Sequence, residues 1–267
     1  MKKYPEISIA AVFQNNAKRL ADKAYAAYYS DGKFVDISWS EMNGMVHNLA
    51  YYLLSRGIGK GDKVGIFSPN RYEWHLAALA IHSIGAVDVP IYATNSAQEA
   101  EYILENSDSK LCLVGTKDHL DKVLQVRDKL PLISELIAFD EPVMQIDRVI
   151  SLKDALAAGK ARPDAAAFDQ RLNALQPNDL ATLIYTSGTT GNPKGVMLTH
   201  NNFYSNVDNT LFEMKDRKTG KPLLTEEDLF LSFLPLSHSL ERTAGFHGAV
   251  YAGAKTAFAR DISTILE

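Results

Sequence analysis

Between Lys63 and Phe139 short apolar runs alternate with longer amphipathic stretches, and this alternation limits the possible folds more than any other feature. Lys63–Ser68, Ala86–Ile91, Lys110–Gly115 and Glu135–Phe139 read as strands. Tyr72–Ile84, the stretch from Ser96 to Asn106 and His119–Leu130 read as helices between them, with Ser96 and Glu99 forming a capping box. Strands joined through helices of this length form βαβ units, which predicts an α/β fold with mostly parallel sheets flanked by helices.

The flanking segments extend the pattern. Ser8 is placed to cap a helix with Ile9, Val12, Phe13, Ala17 and Leu20 on one face. Tyr25–Tyr29 and Phe34–Trp39 form a hairpin about Asp31-Gly32, and Ser40 is placed to cap a helix through Leu54. Ile146–Ala174 reads as a surface excursion with one short helix near Ser151–Ala158. A second α/β stretch follows: strand Leu180–Tyr185, a Gly/Thr/Ser loop, strand Gly195–Leu198, and a helix capped by Thr199 and running toward Phe212. Beyond a charged loop, Phe230–Leu234 reads as strand, Leu240–Tyr251 as helix and Lys255–Ala259 as strand. This order predicts a first α/β subdomain over 1–175 and the start of a second over 176–267. Ile262–Glu267 opens a helix without a C-cap, which predicts a chain that stops inside an element.

Composition excludes several classes. A net charge of −4 argues against a nucleic-acid footprint. The one cysteine, Cys112, lies in an apolar run and reads as a buried strand residue of a protein in a reducing compartment. The start of the chain is interrupted too soon by polar residues for a signal peptide, and Trp74–Tyr92 carries His75, His82 and Asp88, which argues against a membrane span. These features predict a cytoplasmic protein.

The chemistry concentrates in Tyr185-Thr186-Ser187-Gly188-Thr189-Thr190-Gly191-Asn192-Pro193-Lys194-Gly195. Glycines allow backbone N–H groups to converge on an anion, hydroxyls can bond phosphate oxygens or a metal, and Lys194 adds a point charge. A phosphate oxygen about 4 Å from that ammonium would gain about 4 kcal/mol at intermediate dielectric before desolvation. The loop is not a Walker A motif, because Pro193 stands where the second glycine belongs after Gly188. Gly57, Gly59 and Gly61 precede a strand with G-x-G-x-G spacing, so a Rossmann fingerprint fails as well.

The segment YTSGTTGNPKGVMLTH, Tyr185 to His200, resembles the signature of the adenylate-forming superfamily of acyl-CoA synthetases, luciferases and peptide-synthetase adenylation domains. SWSEM (Ser38–Met42), GDKVGIFSPNRYEW (Gly61–Trp74), GAVDVPIYAT (Gly85–Thr94) and FLPLSHSLER (Phe233–Arg242) resemble its long-chain fatty acyl-CoA synthetase branch. The resemblance covers nearly the whole chain and is weakest over Glu141–Arg171 and Lys215–Asp228.

The resemblance implies that Thr186, Ser187, Gly188, Thr189, Thr190 and Gly191 wrap the β- and γ-phosphates of ATP, with Lys194 over them and Thr189 helping to hold Mg²⁺. It implies formation of acyl-AMP and pyrophosphate from a fatty acid, followed by transfer to coenzyme A, with His238 lining the carboxylate and adenylate pocket. Arg242 falls where some relatives place an aromatic gate, so its role stays open between a carboxylate or phosphate partner and a salt bridge with Glu241 or another acid. His200 reads as part of a helix start, and His47, His75, His82, His119 and His247 as structural or surface residues. The family's second metal ligand, ribose-binding aspartate, hinge and small C-terminal domain have no counterpart before Glu267, which implies half an ATP site and no meaningful turnover by these 267 residues. Alternatives are an aryl-CoA ligase, an amino-acid adenylation domain, or a non-catalytic protein that binds nucleotide or a partner. A long-chain substrate would suit peripheral contact with the inner membrane surface, although no basic amphipathic helix supports it.

Overall fold

A computed structural model describes residues 7–142, 144–186, 192–213, 218–222 and 224–259. The first half runs α1 (Ile9–Arg19), β1 (Ala24–Ser30), β2 (Lys33–Ser38), α2 (Trp39–Ser55), β3 (Lys63–Phe67), α3 (Tyr72–Ser83), β4 (Val87–Ile91), α4 (Ala97–Asn106), β5 (Ser109–Val114), α5 (Lys117–Val126) and β6 (Glu135–Ala138). After these come β7 (Val149–Ser151), α6 (Leu152–Ala161), α7 (Ala165–Asn173), β8 (Leu180–Thr186), β9 (Lys194–Thr199), α8 (His200–Glu213) and β10 (Leu229–Ser232). A π-helical turn (Glu241–His247), α9 (Gly248–Ala252) and β11 (Lys255–Phe258) follow, and a short 3-10 turn (Arg127–Lys129) lies between α5 and β6.

Two sheets form. The larger has the order β7-β6-β5-β3-β4-β8-β9 and is parallel except for the β8–β9 hairpin; the smaller has the order β10-β11-β1-β2 and is parallel except for β1–β2. The mostly parallel α/β expectation therefore holds. Each sheet draws strands from both sides of residue 175: β8 pairs with β4, and the N-terminal hairpin pairs with β11.

Period-two alternation explains the layers. Val64, Ile66, Leu111, Leu113 and Ile137 face the core shared with α2 and α3, while Phe67, Cys112, Val114 and Leu136 face α4 and α5. In α3 every residue from Glu73 to Ser83 is buried, as an all-round apolar helix requires. Trp39 stacks on Phe13 at 5.5 Å and meets the Tyr25 edge at 4.8 Å, which fastens α1 and β1 to the start of α2.

Two local expectations need correction. The cap of α2 is Ser38, not Ser40: the Ser38 hydroxyl accepts from Glu41 N, and the Glu41 carboxylate accepts from Ser38 N at 2.8 Å. The Ser-x-x-Glu spacing satisfies two orphan donors together, which Ser40 cannot do. The region 146–174 is more than a surface excursion with one short helix, because β7 joins the sheet edge, α6 packs on α2 through buried Leu152 and Ala155, and a second helix, α7, buries Phe168 and Leu172. A Cβ at Gly159 would lie 1.8 Å from Asn48 O, so this helix pair needs glycine at its crossing. The predicted opening helix at Ile262–Glu267 lies outside the described residues.

Candidate active site

The β8–β9 hairpin presents the Gly/Thr/Ser loop at its tip. Thr186 and Lys194 are the last cross-strand pair before the loop, and both side chains are exposed. Below them the hairpin is held firmly. The Tyr185 hydroxyl donates to Asn106 Oδ1 at 2.7 Å, and the Tyr102 hydroxyl donates to Pro193 O at 3.0 Å. Burial pushes the Tyr185 phenol up to about 12, so it stays a neutral donor. A Cβ at Gly195 would approach the Tyr185 ring to 3.1 Å, so glycine lets the two strands close over that ring. Ser187, Gly188, Thr189, Thr190 and Gly191 lie outside the described residues.

His238 sits on the loop that follows β10. Asn70, just beyond β3, anchors this loop: its amide donates to Ser232 Oγ at 2.9 Å and Leu234 O at 2.6 Å, and its Oδ1 accepts from Leu236 N at 2.9 Å. The His238 backbone N–H donates to Pro235 O at 2.9 Å, closing a turn that leaves the imidazole exposed. Its Nδ1 accepts from Leu240 N at 3.2 Å, so the neutral ring carries its proton on Nε2, free to donate outward.

The hairpin and the His238 loop meet at one cavity of about 870 Å³. Leu198, four residues beyond Lys194, lines one wall, and Ser239 and Leu240, which follow His238, line another. Asn202, Asn206 and Thr210 of α8 are exposed at its rim, while Phe203 and Val207 are buried at its floor. The volume suits an extended small molecule, and the lining is apolar with a polar edge.

A family model for AMP-binding enzymes matches residues 13–266. The chain belongs to this family. It is 36% identical over 253 residues to the long-chain-fatty-acid–CoA ligase FadD15 of Mycobacterium bovis, covering 92% of this chain and 39% of that protein. The long-chain-fatty-acid–CoA ligase FadD1 of Archaeoglobus fulgidus superimposes with a TM-score of 0.76 at 25% identity, over 95% of this chain and 47% of that one. The A domain of a carboxylic acid reductase from Segniliparus rugosus, solved with AMP and a carboxylic acid, superimposes with a TM-score of 0.77 at 20% identity, over 94% of this chain and 44% of that one, which shows a shared fold. The chain thus spans about two-fifths of the length of the curated relatives it matches.

In this chain Arg242, whose role the sequence left open, has a defined partner. Arg242 and Asp88 are both fully buried and form a bidentate pair, Nη1 to Oδ2 at 2.7 Å and Nη2 to Oδ1 at 3.1 Å. Its guanidinium also lies 4.8 Å from the Trp74 ring centre and 5.6 Å from that of Phe203. Full burial removes it from contact with a substrate phosphate. Neighbouring Glu241 is a separate case, its carboxyl raised above the ordinary value by burial. His82 Nε2 meets Asp88 Oδ1 at 2.6 Å, and Thr182 Oγ1 donates to Asp88 O at 3.0 Å. Burial pushes the Asp88 carboxyl up, but the Arg242 charge and the His82 contact outweigh it and hold it well below its ordinary range.

His200 begins α8 and is buried, and His75, His82 and His247 are buried as well. Burial, reinforced by nearby His82, pushes His200 down to about 3. Cys112 is buried in β5 with its thiol pushed up to about 12 by burial, which leaves it inert. Among the described residues no group of three or more His, Cys, Asp or Glu side chains could hold a metal, and no helix is long and apolar enough to cross a membrane. Sequence reasoning missed Asn70, Asp88, Tyr102 and Asn106. Asn70 and Asp88 lie inside matched motifs, but nothing local says that Leu236 and Arg242, 166 and 154 residues away, are among their partners.

Proposed function

We propose that this chain is the N-terminal part of a long-chain fatty acid–CoA ligase, which activates a fatty acid with ATP to acyl-AMP and transfers the acyl group to coenzyme A. The observation that carries the reading is an apolar cavity lined together by Leu198 of the β8–β9 hairpin and by Ser239 and Leu240, which follow His238. The 36% identity to FadD15 supports a fatty acid over an aryl or amino acid.

In this reading the acyl chain lies in the cavity and its carboxylate stands beside His238. The Nε2–H of His238 donates to one carboxylate oxygen and aims the other at the α-phosphorus. As that oxygen bonds to phosphorus, the bond to pyrophosphate breaks and the leaving group takes the electron pair. Lys194, with Thr186 and the residues 187–191, neutralises charge growing on pyrophosphate. Lys194 and Thr186 fit this task, because their cross-strand pairing puts a cation and a hydroxyl at the exposed base of one loop. Mg²⁺, held with the help of Thr189, would supply further charge neutralisation when bound. The sulfur of coenzyme A then attacks the acyl carbonyl and displaces AMP.

The test is pyrophosphate exchange by the complete gene product with palmitate, benzoate and leucine as acids. Palmitate should support it best, and Lys194→Ala should lower it by about a hundredfold or more. Exchange that prefers benzoate or leucine would overturn the fatty-acid reading, and Mg·ATP binding without exchange would favour a nucleotide-binding role. We further propose that residues 1–267 alone form no acyl-CoA at native-like rates; turnover by the purified chain would refute this.

A further inference from the structure

Phe203 and Val207 stand four apart on the buried face of α8, each 4% exposed, and both line two spaces at once. In front is the cavity of about 870 Å³. Behind is a void of about 10 Å³, bounded otherwise by Ile9 and Val12 of α1 and by Tyr204, His247 and Tyr251. A space of that size is at the lower limit for one water and takes no substrate as it stands. The two residues are therefore a partition, one side chain thick, between the substrate cavity and the apolar packing of α1.

We propose that Phe203 sets the inner limit of the acyl cavity and so determines the length of chain accepted. This rests on the cavity assignment made above. The ring is fixed rather than free to swing. Its centre lies 4.4 Å from that of His247, and the Arg242 guanidinium, itself locked by Asp88, stands against its face. An acyl chain reaching the floor meets a wall held from behind and cannot push it aside at little cost. Val207 fills the next turn, so removing the Phe203 ring opens the cavity toward Ile9 and Val12 instead of admitting solvent. Interior apolar sites discriminate by fit, one methylene being worth about tenfold or more in selectivity. A wall whose trimming adds room at the end of the cavity should therefore move the preferred length.

The experiment is equilibrium displacement of a fluorescent fatty acid from the complete gene product by saturated acids of 8 to 18 carbons, for wild type, Phe203→Leu and Phe203→Trp, with thermal unfolding as a check on folding. Phe203→Leu should shift relative affinity toward the longest acids by about tenfold, and Phe203→Trp should shift it toward the shorter ones. Wild type that binds acids with the same length profile as both variants would overturn the role of Phe203 and leave the ligase reading standing. Wild type that binds none of the acids would overturn the cavity assignment itself, and this inference with it. If Phe203→Leu fails to fold, the opposite shift in Phe203→Trp still decides the matter.

Discussion

Arg242→Met tests the physical reasoning at its most exposed point. The substitution keeps an unbranched side chain against Trp74 and Phe203 but removes the charge that balances Asp88. Two charge-assisted hydrogen bonds vanish, at 2.7 and 3.1 Å, between groups with no solvent exposure. Only the His82 and Thr182 contacts to this carboxylate remain. Breaking one side of a buried pair costs about 3–5 kcal/mol, because the surviving charge is left uncompensated. For a chain of this size that lowers Tm by on the order of 10 °C. The sign of the pH dependence is the sharper test. In the wild type the Asp88 carboxyl is depressed, so its contribution is fully present above the unfolded value near 4 and is lost only in stronger acid. Without Arg242, burial dominates and the carboxyl rises above its ordinary value, which penalises the folded state at neutral pH and relents as the solution is acidified. Urea unfolding at pH 7 and pH 5 should show a large stability gap that narrows at pH 5. The double variant Asp88→Leu/Arg242→Met should recover most of the loss, since apolar replacement of a buried pair is often neutral. A loss below about 1 kcal/mol, or a gap that is the same at both pH values, would refute the account.

Two further outcomes follow from the same geometry. Asn70→Ala removes three hydrogen bonds to the His238 loop and should cost about 1–3 kcal/mol while speeding hydrogen exchange at the Leu236 amide; unchanged exchange there would show that the loop is held by something else. His200 is kept neutral, with its folded value near 3 against about 6.5 unfolded, so its contribution is present above pH 6.5 and lost as pH falls toward 3. His200→Asn should therefore remove about 2 kcal/mol of the stability lost between pH 7 and pH 5, as read by urea unfolding at the two values.

Much of the fold was legible because it is local. Capping boxes such as Ser96–Glu99, the Asp31-Gly32 turn and two-residue alternation in β3 and β5 depend on neighbours within a few residues. Ser38 shows where local reading slips: two serines lay within reach of the start of α2, and only the position of Glu41 separates them. The helix α6 was underestimated for another reason. Its fit depends on Gly159 meeting the backbone of α2, and a bare glycine leaves no mark in a hydrophobic pattern. For the site, the hairpin around Tyr185–Lys194 and the position of His238 were readable as motif, whereas the anchors Asn70, Tyr102 and Asp88 become visible only once distant strands are side by side.

Arg242, which pairs with Asp88, sits in a π-helical turn where an ordinary helix was expected. Arg242 lies inside Glu241–His247, and its backbone N–H still donates to His238 O at 3.1 Å, so the turn starts directly from the loop that bears the imidazole. A π turn widens the helix and re-aims the side chains that follow, and such turns concentrate at functional sites. Here the widened turn sends Arg242 inward to β4 while Thr243 and Ala244 line the cavity. One side chain of this turn therefore ties the larger sheet to the wall against which an acyl chain would lie. Loosening the Asp88 pair should therefore be felt in cavity shape and in His238 position together, because both are joined to the same turn.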